Sequence, residues 1–355
     1  MSPDVPCIAP PLGGPAEVKQ YVSDARWLPH AYDPRADALT FAHLNRDAHR
    51  KAPFLHPDHL ADVALSPAIP VVDIPSGDVR SAAGPVHFIF HTAFCCSTLL
   101  ARAFDAPGAA MGLNEPNILM HFAKIWSDAR RPPGALAALQ TSLDLLSRPL
   151  ARGEAQIIKP SNAANHLIPS ILLVRPDAKA VVLSSSLELF LTSVVRRGAE
   201  GRLSVRQFLR GFFDTLPFDA TVTEEEALLL TDLQAAALAW VMQVGYLSLI
   251  VARFGDRLRV LDCNTFLAQP TRVLGALAAF FGLAQADWQA VVESPVFKQH
   301  SKNVGRPFDA AAHQAQQEEA RALYRKELAS AWAWGHAIAA RANIPFGLTE
   351  NVLTA

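Results

Sequence analysis

Strands alternating with helices predict an α/β protein in which a central parallel sheet is covered by helices on both faces. Three observations carry this. The short, largely apolar runs at 86–90 and 178–183 have the length and continuity of strands buried on both sides. Each is followed by a few small or polar residues and then by apolar positions at helical spacing: Leu100, Ala103 and Phe104 after the first, and Leu187, Phe190, Leu191 and Val194 after the second. Half of the 355 residues are hydrophobic, enough for one large core or two smaller ones.

The elements follow in order. Residues 1–80, rich in proline, histidine and aspartate, read as an extension wrapped on the core, with one helix over 38–50. The unit at 86–105 is strand, loop and helix, with Ser97 and Thr98 as helix starters. A short strand at 109–113 ends in Asn114, Glu115 and Pro116, and helices follow at 117–127 and 136–146. Strand 156–159 stops at Pro160, and 168–173 is an apolar helix. Strand 178–183 leads into helix 187–197, with Arg196 and Arg197 in its last turn and Gly198 as terminator. Gly201 discourages an immediate restart, so the next helix is expected from a Ser204 cap to Phe213. The T-x-x-E sequence at 223–226 is a capping box for a long helix over 224–254. Strand 257–261, helix 270–281 ended by Gly282, a basic loop at 297–302 and a polar helix at 309–340 complete the chain. The expected organisation is an N-terminal extension at 1–80, an α/β domain at 81–305, and a C-terminal helix and tail at 306–355.

Composition removes several function classes. Lys+Arg of 32 against Asp+Glu of 33 gives no general attraction to nucleic acid or to an anionic membrane, so neither is expected as a partner. Cys7, Cys95, Cys96 and Cys263 have neither a disulfide framework nor metal-ligand spacing, and predict a reducing, cytoplasmic location. The N-terminus has no basic region followed by an apolar one, so no secretory signal is expected. Residues 235–252 carry no formal charge and reach membrane-spanning length, but Gln243, Tyr246 and Ser248 and the charged start favour a buried helix.

The loop between strand 86–90 and its helix offers backbone N–H groups to a phosphate or sulfate. It lacks the paired glycines and the lysine of a nucleotide-triphosphate loop and has Phe94, Cys95 and Cys96 instead. Residues 90–100 resemble the first loop of the sulfotransferases, enzymes with a P-loop-like three-layer α/β sandwich that use 3'-phosphoadenosine 5'-phosphosulfate. Residues 259–270 and the helix ending at Leu283 resemble that family's late strand, proline-ended loop and helix. Residues 157–159 resemble its lysine-ended strand, and 184–198 its 3'-phosphate unit. The four segments stand in the family's order over residues 84–303. Phe94 stands where the family has a cation, Cys96 where it has glycine, and Ser185 where it usually has arginine.

The resemblance implies sulfuryl transfer to a hydroxyl or amine of a small-molecule acceptor. It implies Lys159 at the leaving oxygen and Glu115 as general base, with Phe94, Cys95, Cys96, Ser97, Thr98, Ser185, Ser193 and Lys302 around the cosubstrate. Each residue also has a structural reading. Lys159 snorkels from a strand end, Glu115 favours a helix dipole, Ser185 forms a capping box with Glu188, Ser193 bonds back to its own helix, and Lys302 sits in a solvated turn. Cys95 and Cys96, at a helix start, either have lowered pKa values or simply pack. With His166 placed beyond Ser161, a histidine base is not expected. The alternative function is a catalytically silent nucleotide-binding or regulatory protein that keeps the fold.

Overall fold

The computed structural model describes residues 15–353 apart from 61, 129, 217–220, 303–306 and 308–309. After α1 (Pro15–Ser23), strands β1 (Trp27–Asp33) and β2 (Ala38–His43) pair antiparallel, α2 (Arg46–Lys51) follows, and β3 (Ile69–Pro70) completes a small three-stranded sheet. The helix expected over 38–50 is therefore a strand and a short helix. Its first half is held by pairing with β1, which buries Leu39 and Phe41 completely, so tertiary pairing overrides local propensity. Helix α3 (Ser76–Ala82) leads to the main domain.

There, β4 (Val86–His91), α4 (Ser97–Ala103), β5 (Ala110–Asn114), α5 (Asn117–Trp126), α6 (Ala135–Leu146), β6 (Ala155–Lys159), α7 (Ile168–Val174), β7 (Ala180–Ser184) and α8 (Leu187–Arg196) follow one another. Next come α9 (Gly198–Thr215), α10 (Glu224–Leu228), α11 (Asp232–Phe254), β8 (Leu258–Asp262), α12 (Cys263–Ala268) and α13 (Pro270–Phe281). The chain ends with α14 (Trp288–Glu293), α15 (Pro295–Lys298), α16 (Ala310–Leu323) and α17 (Arg325–Arg341). The five strands of the large sheet are all parallel, in the order β5-β6-β4-β7-β8. Residues 351–353 extend this sheet at β8: the Leu353 N–H donates to the Val260 carbonyl at 2.8 Å.

Because side chains alternate across a strand, the sheet separates two cores. Ile89, Ile157, Val181, Leu183 and Leu261 face α4 and α13. Phe88, Phe90, Ile158, Val182 and Val260 face the larger set of helices that includes α5, α7, α8 and α11. This is the three-layer α/β sandwich expected. The uncharged stretch in α11 is buried without a break from Ala235 to Leu247, as a central packing helix.

Three helix boundaries differ from expectation. Helix α9 starts at Gly198, straight after α8, and Ser204 lies inside it with its hydroxyl donating to the Glu200 carbonyl at 2.8 Å rather than capping. Gly201 enables this restart: a Cβ there would meet the Val194 carbonyl oxygen at 2.4 Å, so only glycine lets the start of α9 lie this close to α8. The long helix is split into α10 and α11, because Thr231 and Gln234 form a second capping box. The C-terminal helix is likewise two, α16 and α17; its expected start at 309 lies outside the described residues.

Close packing of α4 on β5 gives a test. A Cβ at Gly112 would sit 1.9 Å from the Ala101 carbonyl oxygen, whereas one at Gly77 meets nothing within 4 Å. Gly112→Ala is expected to cost at least about 1–3 kcal/mol, the usual range for overpacking, and Gly77→Ala to be neutral or slightly stabilising, as read from urea midpoints.

Candidate functional site

Beyond β4 the chain passes through Thr92 to Cys96 before entering α4. Ala93, Phe94 and Cys96 have φ of 66°, 48° and 62°, so three non-glycine residues hold the left-handed conformation. Each costs about 1 kcal/mol or more, a strain that surrounding contacts must hold in place. His91 is one such contact: the Ala93 N–H donates to its Nδ1 at 3.0 Å, and its Nε2 donates to the Pro160 carbonyl at 3.1 Å. Burial drives the imidazole pKa well down. His91 is thus a neutral clamp on the loop, with both nitrogens engaged.

Of the paired cysteines, Cys95 is buried and packs, whereas Cys96 is exposed. The Cys95 thiol donates to the Leu183 carbonyl at 3.5 Å, and burial pushes its pKa up to about 12. The Cys96 thiol is raised as well, by desolvation from the surrounding chain, against the pull of Lys302 and Arg196. The lowered thiol pKa values that a helix start can give are absent. Cys96 occupies the position before α4 in the left-handed conformation without a side-chain cap, while Ser97 and Thr98 are buried in the first turn.

Lys159 ends β6 and faces Asn114 across the register; Glu115 follows directly. The Glu115 N–H donates to the Lys159 carbonyl at 2.7 Å, and its left-handed backbone, φ 49°, accompanies a carboxylate 2.5 Å from Lys159 Nζ. The lysine side chain is 1% exposed and the carboxylate 25%, so Lys159 does not snorkel. Phe54, from the N-terminal region, sits against both Lys159 Nζ (5.4 Å from the ring centroid) and Lys302 Nζ (5.6 Å). Its neighbour Leu55 donates to the Asn114 carbonyl at 2.8 Å and accepts from the Asn117 N–H at 3.1 Å, which fixes the ring beside Glu115. Burial lowers Lys302 to about 8; Arg197 and Lys159 add to this and Glu115 opposes it. Lys302 is therefore no solvated turn residue.

The β7–α8 unit supplies the far side. The cap of α8 is Ser186, whose Oγ accepts from the Leu189 N–H at 3.2 Å, so the Ser185–Glu188 capping box does not form. Ser185 is instead buried, its hydroxyl without a partner and its carbonyl accepting from Trp240 Nε1 at 2.9 Å. The hydroxyl of Thr92, at the end of the adjacent strand β4, is likewise buried without a partner. Ser193 is buried within α8. Among the described residues no hydrogen bond or ion pair links Ser185 or Ser193 to Lys159, Glu115 or Lys302. His166 is turned to α5, where its Nε2 donates to the Ala123 carbonyl at 2.9 Å.

The fold thus gathers the loop residues 94–98, Lys159, Glu115 and Lys302 at the carboxyl edge of the sheet. Two contributors were missed from sequence. Phe54 carried no signal, and Arg197, read as a residue favouring the helix dipole, has its guanidinium 4.9 Å over the Phe94 ring. Cations outnumber the single carboxylate, an arrangement suited to a multiply charged anion, while the Lys159–Glu115 pair sets a proton donor beside a proton acceptor.

The unequal burial of that pair yields a prediction. Glu115→Gln strands an ammonium that water cannot reach and is expected to cost about 1–3 kcal/mol or more. Lys159→Met leaves a carboxylate that water can solvate, so it should be the milder change in chemical denaturation.

No protein-family model matches the chain, and no curated protein matches it. Among solved structures the chain is similar to the sulfotransferase domain from the curacin biosynthetic pathway. The identity is 13% and the TM-score 0.41, over 74% of this chain and 98% of that one.

Proposed function

We propose that the protein is a sulfotransferase-like transferase that takes 3'-phosphoadenosine 5'-phosphosulfate as donor and a small-molecule hydroxyl or amine as acceptor. The observation that carries this reading is the Lys159–Glu115 pair at adjoining strand ends, beside the loop that leaves the central strand. The residues present fit the donor: the unpartnered buried hydroxyls of Thr92 and Ser185 lack only an acceptor or donor, and the nearby cations exceed the acids. Residues 94–98 would hold the 5' end, Ser185 and Ser193 the 3'-phosphate, and Lys302 would close over the nucleotide.

When bound, the donor supplies an activated sulfuryl group and, on transfer, a phosphate oxygen as leaving group. The Glu115 carboxylate takes the proton from the attacking acceptor oxygen or nitrogen. The Lys159 ammonium, held by Glu115 and the Phe54 ring, offers its remaining N–H groups to the charge that develops on the leaving oxygen. The burial of Lys159 beside Phe54 strengthens the second of these interactions. A second reading, a catalytically silent nucleotide-binding or regulatory protein, is favoured by the lack of a cation at positions 94 and 185. It predicts binding without turnover.

Titration calorimetry with 3'-phosphoadenosine 5'-phosphate, beside AMP and ATP, tests the reading. Preference for the 3'-phosphorylated ligand supports it; failure to bind any of the three sinks it. Because the Lys302 pKa is depressed to about 8, its charge is present below that pH and lost above it. Affinity should therefore fall as pH rises through about 8, by about ten- to a hundred-fold for one charge-assisted hydrogen bond, and Lys302→Met should flatten the profile. In a turnover assay, Glu115→Gln should lower the rate about 10²–10⁴-fold while leaving nucleotide affinity within a few-fold. Binding with no turnover in the wild type would select the silent reading.

A further inference from the structure

Neither of the two arginines at the end of α8 has a role in the chemistry proposed above. Arg197 lies over Phe94, and Phe94 is itself held edge-on by Phe190 of α8 (5.1 Å between ring centroids) and tilted against Phe208 of α9 (6.4 Å). The guanidinium is therefore seated on a loop residue whose own position is fixed by two helices. Its one ion pair among the described residues is with Glu200 at 3.6 Å, a side chain 77% exposed. Arg196 has no ion pair among the described residues, and its Nε is buried without a hydrogen-bond partner. Arg196 and Lys302 both lie within electrostatic reach of the Cys96 thiol, the last loop residue before α4, and Lys302 within reach of Arg197.

A helix C-terminus attracts cations through its dipole. That accounts for basic residues there, but not for a guanidinium stacked on the loop of another unit, nor for several cations crowded together with so little opposing charge. Partial burial weighs against the charged form of both arginines, and for Arg196 the proximity of Arg197 adds to it. An anion lying on the loop would relieve both effects.

We propose that Arg197, seated on Phe94, and Arg196 beside it supply the positive charge that positions 94 and 185 lack, and that they grip the phosphate or sulfate ester lying on loop 92–98. The inference rests on the reading of that loop as an anion site. The cation has moved from the loop to the helix end, and Phe94, occupying the vacated position, has become its platform.

The test is calorimetric titration of the full chain with 3'-phosphoadenosine 5'-phosphate and, separately, with inorganic pyrophosphate, with folding checked by circular dichroism. Arg197→Met keeps an apolar stem on Phe94 and should weaken both ligands about ten- to a hundred-fold, with Arg196→Met weaker in effect but in the same direction. Phe94→Arg alone should give no gain, because the new guanidinium meets Arg197. Phe94→Arg combined with Arg197→Met should restore binding to within about five-fold of wild type, since the charge is returned to the loop. Unchanged affinity in both arginine variants, with the nucleotide still bound, overturns the inference and leaves the proposed function standing. A loss that the double variant does not recover also overturns it, since Arg197 would then be structural. Arginine-dependent binding of pyrophosphate without binding of the nucleotide upholds the inference and sinks the nucleotide reading. Failure of the wild type to bind either ligand overturns both.

Discussion

An ammonium with almost no access to water at the end of a strand is the constraint on which the carboxyl edge of the sheet depends. Lys159 is 1% exposed, and an isolated charge in that position would cost several kcal/mol. Three features of the fold make it tolerable. The β5–β6 register places Glu115 next to Lys159, the left-handed turn at Glu115 accompanies a 2.5 Å contact between the two charges, and the Phe54 ring lies 5.4 Å from the ammonium. None of these can change alone. A one-residue slip of β5 against β6 would reverse its side chains and leave the lysine without a partner.

The N-terminal region, packed on the core, is accordingly also part of the site's architecture. Buried Arg148 donates to the carbonyls of Val22 (2.6 Å), Tyr21 (3.1 Å) and Trp27, and so ties the segment before β1 to the end of α6. Arg46 pairs with Asp105 at 2.7 Å and with fully buried Glu154, which fixes α2 against the loops that lead into β5 and β6. The segment that carries Phe54 follows directly after the second of these anchors. Its exchange of backbone hydrogen bonds through Leu55 with Asn114 and Asn117 works like a short added strand and seats the ring between two lysines.

Much of the sheet was legible because buried parallel strands announce themselves as short apolar runs, and the helices beside them by their apolar spacing. The strands near 86–90, 109–113, 156–159 and 178–183 all appear within a residue or two. What failed had a common cause, namely that the deciding contact lies far away in sequence. Residues 38–43 are a strand because β1 pairs with them. Gly201 reads as a helix breaker until the Val194 carbonyl is seen to need the space. Ser185 and Ser186 are equally good caps by composition, and only the structure shows that Ser186 caps while Ser185 is buried. The loop, Glu115 and Lys159 lie in motifs that a local pattern can hold, whereas Phe54 and Arg197 reach the site from elements that no motif joins to it.

The loop itself shows what is gained by replacing glycine. Glycine at positions 93, 94 and 96 would reach the same backbone without steric strain, though at a higher entropy cost on folding. The Phe94 side chain, which accepts the strain, makes contacts glycine cannot: it packs on Phe190 and carries Arg197. Cys95, which follows it, is driven into the core against Leu183. A glycine loop is shaped by its ligand as much as by its own packing. This one is held by its side chains, so its backbone N–H groups and the surrounding cations are preorganised, and under the proposed function the ordering cost is met on folding rather than on binding.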